Sequence, residues 1–427
     1  MRKKICIFCS LSSFDTGMPI STYKLAAGLA GSGRFEVCVA LPCEGGLAEK
    51  LRGAGVDVRV ISFRRMRGGF TSAVRFWAAY FRAGSAFSRF IRKNNIDIAH
   101  FSDVIDAPFY PWARLAGAKV AAHVRVCLGG PLAGYFFRLW ARVFCDRVVT
   151  VSNFAKRYYG FGKRAAVVYN PGPDRTLFDP EKFSGLSSRN LDTPDEMSGL
   201  SSRNLDTPDE ASGLSSRISD TPDEASGLSS RISDEAPTVI TVSTFRREKG
   251  HHNFLEVAAR VKERVAGNVR FVIVGGRVEG HEGYYDEVMA KAARLGVGGR
   301  LTVTGSLPHE AVPAAMAGAA VLLHAPDWEE ALGGVILEAM AMGVVPVAYD
   351  CGGVGECFTD GVSGFLVRRG DFDGAADRAA SLLESPELRQ RMALSARREL
   401  DEKFTLAAYI DNVEKIYEEI YTRGGAV

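Results

Sequence analysis

The sequence predicts an α/β protein made of two domains, each built on a parallel β-sheet. Short apolar segments alternate with helix-forming segments in both halves of the chain, which is the pattern of a doubly wound sheet. A segment of different composition, residues 184–236, separates the two halves. At 427 residues the chain is long enough for each half to bury a core of its own.

The first half contains seven apolar segments that we predict as strands, and a turn-rich stretch at 170–174 ends it. The predicted strands are Lys4–Cys9, Phe35–Leu41, Val56–Ile61, Ile96–His100, Lys119–Val124, Asp146–Ser152 and Ala165–Tyr169. The predicted helices are Ile20–Ala30, Gly45–Ala54 and Ala73–Arg92.

The second half repeats the alternation. The predicted strands are a segment starting at Thr238, then Val269–Val274, Leu301–Val303, Val321–His324 and Val345–Tyr349. The predicted helices are one starting at His252, then Tyr284–Leu295, His309–Ala317, Gly333–Met342 and Ala407–Tyr421. The last of these has apolar residues at 409/410, 413, 416/417 and 420, which form a stripe on one helix face.

The stretch Ala319–Asp350 reads as strand, loop, helix and strand, and such a unit makes a parallel pair. Ligands of these sheets bind beyond the carboxyl ends of the strands, where Glu330, Gly333 and Gly334 fall. The glycines allow close approach to the backbone, and the helix N-terminus favours a phosphate. Glu338 follows in the helix, so one carboxylate could bind a sugar and the other a ribose.

This motif and its continuation contain ten characteristic positions: Glu330, Gly333, Glu338, Ala339, Gly343, Pro346, Val347, Gly352, Gly353 and Glu356. In this order they resemble the C-terminal signature of the family-4 (group 1) retaining glycosyltransferases. The resemblance implies the GT-B fold, in which two Rossmann-like domains with parallel sheets face each other across the active site. We therefore expect an N-terminal acceptor domain at 1–183, a nucleotide-sugar-binding domain at 237–404, and a C-terminal helix at 405–427 that crosses back to the first domain.

The resemblance also implies roles for individual residues. Glu330 would face the donor sugar and Glu338 would bind the ribose. His123 matches a histidine near the family's reacting centre, and we predict it, with Glu330, as catalytic. Gly17 matches part of a Gly-Gly that approaches the diphosphate, although Met18 stands in place of the second glycine.

By the same resemblance, a basic loop in the second half would supply cations for the leaving diphosphate. Lys249, in FRREKGHH, matches the family's Lys-Gly, and its charge would stabilise the diphosphate as the glycosidic bond breaks. Many members carry an arginine five residues earlier, where this chain has Thr244. Arg246 or Arg247 is the substitute, and we predict Arg246 in the donor site; the competing interpretation is a solvated basic loop.

The predicted activity is that of a retaining glycosyltransferase. It would transfer a sugar from a nucleotide-diphosphate sugar to a glycan or lipid-linked acceptor, in cell-envelope polysaccharide or lipopolysaccharide biosynthesis. The donor is a substrate, and no cofactor, metal site or nucleic-acid partner is expected. The alternatives are another GT-B enzyme, such as a nucleotide-sugar epimerase or phosphorylase, and a non-catalytic sugar-nucleotide-binding scaffold.

Composition and cysteines indicate a cytoplasmic location. The chain is 46% hydrophobic, and it has no uncharged apolar run of 18 residues or more. Its first residues mimic a signal peptide, but a buried first strand explains them better. Two cysteine pairs, Cys6 with Cys9 and Cys38 with Cys43, lie in or beside predicted strands. We interpret them as buried core thiols rather than a zinc cluster.

The segment Arg59–Lys93 makes an anionic membrane surface a further candidate partner, at the inner face of the membrane. It contains eight Arg, one Lys and no acidic residue. In its predicted helix, arginines 75, 82 and 89 share one face, and residues 77, 80, 87 and 91 form an apolar face. An interfacial helix has these features. The alternative is a packed helix with its aromatic residues in the core and its arginines in water.

Residues 184–236 consist of a 14-residue unit, SGLSSRNLDTPDEM, repeated with small changes. They contain 4 Arg against 11 Asp and Glu, a net charge of −7, and no aromatic residue. Such a segment cannot bury enough apolar surface to offset its ordering entropy. We therefore predict a disordered acidic linker between the domains.

Deleting residues 184–225 should leave the melting temperature and the activity nearly unchanged. The reason is that loop-closure entropy changes by only about 0.6 kcal/mol for each doubling of loop length. Differential scanning fluorimetry and a turnover assay on the shortened chain check this. A drop of many degrees, or loss of turnover, would show that the repeats have a structural role.

Overall fold

A computed structural model describes residues 2–14, 17–62, 70–128, 131–183 and 236–422; for 70–79, 131–133 and 282 it describes the backbone only. The chain divides into two compact units. Unit 1 comprises Met1–Gly172, Glu329–Gly334 and Asp401–Val427. Unit 2 comprises Pro173–Trp328 and Val335–Leu400. The predicted repeat linker lies outside the described residues.

Unit 1 is built on a parallel sheet of seven strands in the order β3-β2-β1-β4-β5-β6-β7. The strands are β1 (Lys3–Phe8), β2 (Phe35–Leu41), β3 (Asp57–Val60), β4 (Ile98–Phe101), β5 (Lys119–Val124), β6 (Arg147–Thr150) and β7 (Ala165–Val167). Its helices in this part of the chain are α1 (Gly17–Gly31), α2 (Gly46–Gly53), α3 (Phe70–Asn94), α4 (Tyr110–Leu115), α5 (Pro131–Phe144) and α6 (Asn153–Tyr159). The order of the strands reverses between β1 and β4, so the sheet is doubly wound.

Unit 2 has a parallel sheet of six strands in the order β10-β9-β8-β11-β12-β13. The strands are β8 (Thr238–Val242), β9 (Arg270–Val274), β10 (Leu301–Val303), β11 (Val321–His324), β12 (Val345–Tyr349) and β13 (Phe365–Val367). The helices are α7 (His251–Arg264), α8 (Glu282–Arg294), α9 (Val312–Met316), α10 (Gly334–Ala341), α11 (Phe372–Glu384) and α12 (Pro386–Lys403). The two parallel sheets confirm the predicted α/β class.

The last helix, α13 (Leu406–Thr422), belongs to unit 1 and packs on α1. Its predicted stripe is buried, in one core with residues of β1, β2, α1 and α2. Gly28 of α1 lies under Ile410, since a Cβ at Gly28 would be 2.5 Å from the end of that side chain. Arg34 forms an ion pair with the buried Glu414 carboxylate at 2.5 Å. The burial of the stripe confirms its predicted helical spacing.

Several predictions of detail were wrong. The segment His309–Ala317 is a short 3₁₀ turn at His309–Ala311 followed by α9, rather than one helix. Cys43 is exposed, whereas Cys6, Cys9 and Cys38 are buried as expected. Strand β13 and helices α4, α5, α11 and α12 were not predicted.

Helix α3 contradicts the lipid-facing role proposed for its apolar face. Tyr80 is 9% exposed, and Phe87 and Ile91 are 0% and 1% exposed, so these side chains belong to the core. The Phe8 ring contacts that of Phe87 at 5.0 Å between centroids. Residue 77 lies where side chains are not described. Because the sheet needs a covering layer, the side chains of Tyr80, Phe87 and Ile91 turn inward, as the alternative interpretation held.

Gly84→Ala should destabilise unit 1, because a Cβ there would lie 2.2 Å from the Trp112 ring of α4. Overpacking typically costs about 1–3 kcal/mol, which exceeds the gain of about 1 kcal/mol from replacing glycine in a helix. The matched control is Gly31→Ala in α1, whose Cβ would meet nothing within 4 Å. Urea unfolding followed by tryptophan fluorescence compares the two, and equal stability would refute the close α3–α4 contact.

Candidate functional site

In unit 1 the predicted catalytic histidine lies at the carboxyl end of a strand. His123 is the next-to-last residue of β5 and is fully buried. Its Nδ1 is 3.3 Å from Nε2 of His100, which holds the same position in β4. Burial and the Arg125 charge lower the pKa of His123 well below its usual value, so the imidazole is neutral at physiological pH.

Arg125 follows β5 and organises this strand end. Its guanidinium donates to the Tyr409 hydroxyl of α13 at 2.8 Å and to the carbonyl oxygen of Ser102. Its backbone N–H donates to Asp103 Oδ1 at 3.1 Å. The carboxyl ends of β4 and β5 and one turn of α13 are therefore tied together by charge-assisted hydrogen bonds.

The segment Glu329–Gly334, which carries Glu330, groups with unit 1. The Ser152 hydroxyl, which caps α6, donates to the carbonyl oxygen of Ala331. Burial raises the pKa of the Cys127 thiol to about 12, and the negative charge of Glu330 contributes to that rise. Glu330 thus lies near the loop that follows His123.

Gly17 and the glycines of the motif occupy helix starts. Gly17 is the first residue of α1, and a Cβ there would meet nothing within 4 Å. Gly334 begins α10 and is exposed, while Gly333 before it is buried. Glu338 lies in the middle of α10 and is half-buried. Gly343, with φ of +73°, follows α10 in the left-handed conformation that is typical of a helix C-terminal cap.

In unit 2, the turn that carries Lys249 packs against the end of β11. Lys249 ends a 3₁₀ turn, and Gly250, with φ of +71°, leads into α7. A Cβ at Gly250 would lie 1.9 Å from the carbonyl oxygen of Ala325, so only glycine allows this approach. Lys249 is consequently fixed at the carboxyl ends of β8 and β11.

Two residues that sequence reasoning missed brace this turn. Asn253 donates to the Ala325 carbonyl oxygen at 3.0 Å and to Asp327 Oδ1 at 2.7 Å. The backbone N–H of Asp327 donates to the carbonyl oxygen of Glu248 at 3.0 Å. The sequence places Asn253 in the first turn of the predicted helix, close to the Lys-Gly pair, but its contacts with Ala325 and Asp327 are visible only in the structure.

The two arginines considered for the missing cation both have carboxylate partners. Arg246 Nε lies 3.3 Å from Glu248 Oε1, and the side chain is 46% exposed. Arg247 pairs with Glu287 and lies over the Tyr284 ring at 5.0 Å. Arg246 lies in the same turn as Lys249, and Glu248 neutralises part of its charge.

The predicted site residues thus fall into two groups. His123, Glu330, Gly17, Gly333 and Gly334 belong to unit 1, and Arg246, Lys249 and Glu338 belong to unit 2. Within the described parts of the chain, no cluster of three or more His, Cys, Asp or Glu could hold a metal ion. None of the helices described is long and apolar enough to cross a membrane.

Two family profiles match the chain. One, described as "Glycosyl transferases group 1", matches residues 227–399, and the other, "Glycosyltransferase Family 4", matches residues 16–171. Together they cover most of the sequence outside the repeats and the last helix.

This chain is similar to several glycosyltransferases over part of their length. An alpha-D-kanosaminyltransferase of Streptomyces kanamyceticus is 35% identical over 187 residues, which are 44% of this chain and 46% of that protein. An N-acetyl-alpha-D-glucosaminyl L-malate synthase of Bacillus anthracis is 29% identical over 182 residues, 43% of this chain and 45% of that protein. The chain thus matches less than half the length of these relatives.

Solved structures share the fold over almost the whole chain. HepE of Anabaena, solved with UDP and glucose, superposes with a TM-score of 0.74 at 18% identity, covering 98% of this chain and 100% of that one. The lipopolysaccharide outer core galactosyltransferase WaaB superposes with a TM-score of 0.62 at 15% identity, covering 98% and 99%. These structures establish the GT-B fold, and with the two profiles they show that this chain belongs to the group 1 glycosyltransferase family.

Proposed function

We propose that the protein is a retaining glycosyltransferase that uses a nucleotide-diphosphate sugar. The observation that carries this proposal is the arrangement at the carboxyl end of β11. There the Lys249-Gly250 turn packs on Ala325, and the chain continues through Glu330 into α10 with Glu338. A cation at this strand end, and a helix that follows the same strand and carries a carboxylate, suit a sugar nucleotide.

Each residue has a role in this proposal. Lys249, assisted by Arg246, neutralises charge on the departing diphosphate, which takes the place of a metal ion and needs no cofactor. Glu338 accepts hydrogen bonds from the ribose, and Gly17, Gly333 and Gly334 bring backbone N–H groups to the donor. His123 and Glu330 contact the donor sugar.

The proposed reaction is a same-face substitution at the anomeric carbon. The bond from that carbon to the diphosphate oxygen breaks as the bond to the acceptor oxygen forms on the same face. The leaving phosphate takes the acceptor proton. No carboxylate of the protein forms a covalent intermediate, unlike in retaining glycosidases, whose two carboxyl groups lie about 5–5.5 Å apart.

The proposed acceptor is a glycan or a lipid-linked glycan of the cell envelope, with the protein acting in the cytoplasm at the membrane's inner face. A second acceptor class is favoured by the names of relatives. Several are transferases named for small polar acceptors, such as 2-deoxystreptamine in Niallia circulans and D-inositol 3-phosphate in Nocardia farcinica. A soluble polyol is therefore the competing acceptor in any assay.

Glu338→Ala should weaken donor binding about 10- to 150-fold, because the ribose loses a charged acceptor worth roughly 1.5–3 kcal/mol. Glu330→Gln should lower kcat and leave the melting temperature nearly unchanged. Glu384→Gln, at an exposed position that ends α11, is the matched control and should behave as wild type.

Thermal-shift screening of UDP-, GDP-, ADP- and CMP-sugars identifies the donor, and release of nucleotide diphosphate measures turnover. Binding without any turnover would favour the scaffold alternative. Wild-type kinetics in both glutamate variants would show that these residues do not form the site.

A surface of unit 1 supports the proposed membrane location. Helix α5 turns an apolar face outward: Tyr135, Phe136, Leu139 and Val143 are 60%, 57%, 49% and 61% exposed. We call these four side chains the α5 face. Exposed apolar patches of this kind mark interaction sites. The α5 face replaces the apolar face of α3 as the proposed contact.

Charge favours an anionic lipid surface as the partner of the α5 face. Arg138 and Arg142 lie beside it on the helix, and α5 has neither Asp nor Glu. The sequence has no carboxylate between Asp106 and Asp146. Aromatic and aliphatic side chains flanked by arginines suit a helix lying among lipid headgroups, where each cation contributes about 1 kcal/mol.

Leu139→Glu should reduce sedimentation with anionic vesicles, since it places a charge in the centre of the α5 face. The matched control is Leu394→Glu on α12, which is 54% exposed and lies in unit 2. Wild type and the control should pellet with anionic vesicles, less so at high salt, and stay in solution with neutral ones.

An Arg82→Glu/Arg89→Glu variant tests whether α3, rather than α5, is the helix that contacts the membrane. If it releases the protein from vesicles while Leu139→Glu does not, the basic face of α3 is the contact. If wild type never sediments, the acceptor is met in solution.

A further inference from the structure

A chain of three buried side chains links α13 to the predicted catalytic histidine. The Tyr417 hydroxyl is 2.9 Å from Nδ1 of His100, and Nε2 of His100 is 3.3 Å from Nδ1 of His123. All three side chains are 0% exposed. Beyond them, Nε2 of His123 has no hydrogen-bond partner among the described residues.

Both imidazoles are neutral, which fixes the number of hydrogens in the chain. Burial, with a contribution from Arg125, lowers the pKa of His100 to about 3 and that of His123 well below its usual value. A neutral imidazole carries one N–H and one acceptor nitrogen. The hydrogen bonds along the chain must therefore all point the same way.

Two directions are possible, and they differ in what they leave unsatisfied. If Tyr417 donates to His100, then His100 Nε2–H donates to His123 Nδ1, and only the Nε2–H of His123 lacks an acceptor. In the reverse direction the Tyr417 hydroxyl hydrogen loses the only acceptor that the described residues show for it. The Nε2 lone pair of His123 would then lack a donor as well. Because unpaired buried donors are costly, the first direction is favoured.

We propose that Tyr417 and His100 are positioning residues that hold His123 as the Nε2–H tautomer, ready to donate a hydrogen bond to a hydroxyl oxygen of the donor sugar. The contact with sugar rests on the proposed function, whereas the tautomer does not. Since His123 is fully buried, the sugar reaches Nε2 only when the side chains over it move. Among the three hydrogen-bonded side chains, the Nε2–H of His123 is then the group that gains a partner on binding.

Solid-state ¹⁵N NMR of histidine-labelled full-length protein reads the tautomer directly. The chain has seven histidines, and a His123→Gln sample identifies the signal of His123. Wild type should show His123 with hydrogen on Nε2 alone. In Tyr417→Phe the two directions leave equal numbers of unpaired groups, so His123 should become a mixture of tautomers. A wild-type His123 with hydrogen on Nδ1, or on both nitrogens, overturns the proposal.

Tyr421→Phe is the matched control, because Tyr421 lies one turn further along α13 and its buried hydroxyl has no partner among the described residues. It should change neither the spectrum nor the turnover. Tyr417→Phe should lower kcat several-fold with little change in the melting temperature. If its tautomers mix but kcat is unchanged, the positioning role is overturned. If wild type turns over no sugar nucleotide, the proposed function fails, and the wild-type spectrum still decides the tautomer.

Discussion

The packing of α13 on unit 1 is the interaction on which much of the molecule depends. Its stripe joins the core formed by β1, β2, α1 and α2, and each fully buried large apolar side chain contributes about 1.5–3 kcal/mol. The same helix supplies Tyr409 to Arg125 and Tyr417 to His100. One helix, remote in sequence, therefore completes the core and fixes the polar groups at the ends of β4 and β5.

The second constraint is backbone approach at the carboxyl ends of the unit 2 strands. Gly250 touches the end of β11, and a Cβ at Gly275 would lie 1.8 Å from the carbonyl oxygen of Ser243. Glycine at these positions lets the backbones of the loops after β8, β9 and β11 come into direct contact. The backbone amides and the lysine of these loops are therefore held in place by backbone packing. A site for a charged ligand benefits from such preorganisation, since little reorganisation accompanies binding.

Basic charge and exposed apolar side chains are concentrated on particular helices of unit 1, which the composition of the whole chain does not reveal. The whole chain has a net charge of +3, but the repeats contribute −7, so the remainder is at +10. Much of this basic charge lies on α3 and α5, while the aromatic residues divide between core and surface. The α5 face is exposed although Phe137 and Ala141 of the same helix are 2% exposed. Helix α5 thus has apolar side chains on its buried face and on its exposed face, and the packing of unit 1 uses only the buried face.

The sequence alone determined the alternation of strands and helices, because buried parallel strands are short continuous apolar runs; β2, β5, β10, β11 and β12 begin and end at the predicted residues. It also indicated the family, because the order Glu330, Gly333 and Glu338 and the pair Lys249-Gly250 resemble motifs of that family. Helix α4 escaped prediction because it is only 6 residues long, too short for a periodic pattern to show. Only the tertiary structure decided that Tyr80, Phe87 and Ile91 face the core, that Asn253 braces the Lys249 turn, and that His100 and Tyr417 meet His123. These contacts join residues up to 317 positions apart, and hydrogen-bond direction depends on which buried groups face one another in space.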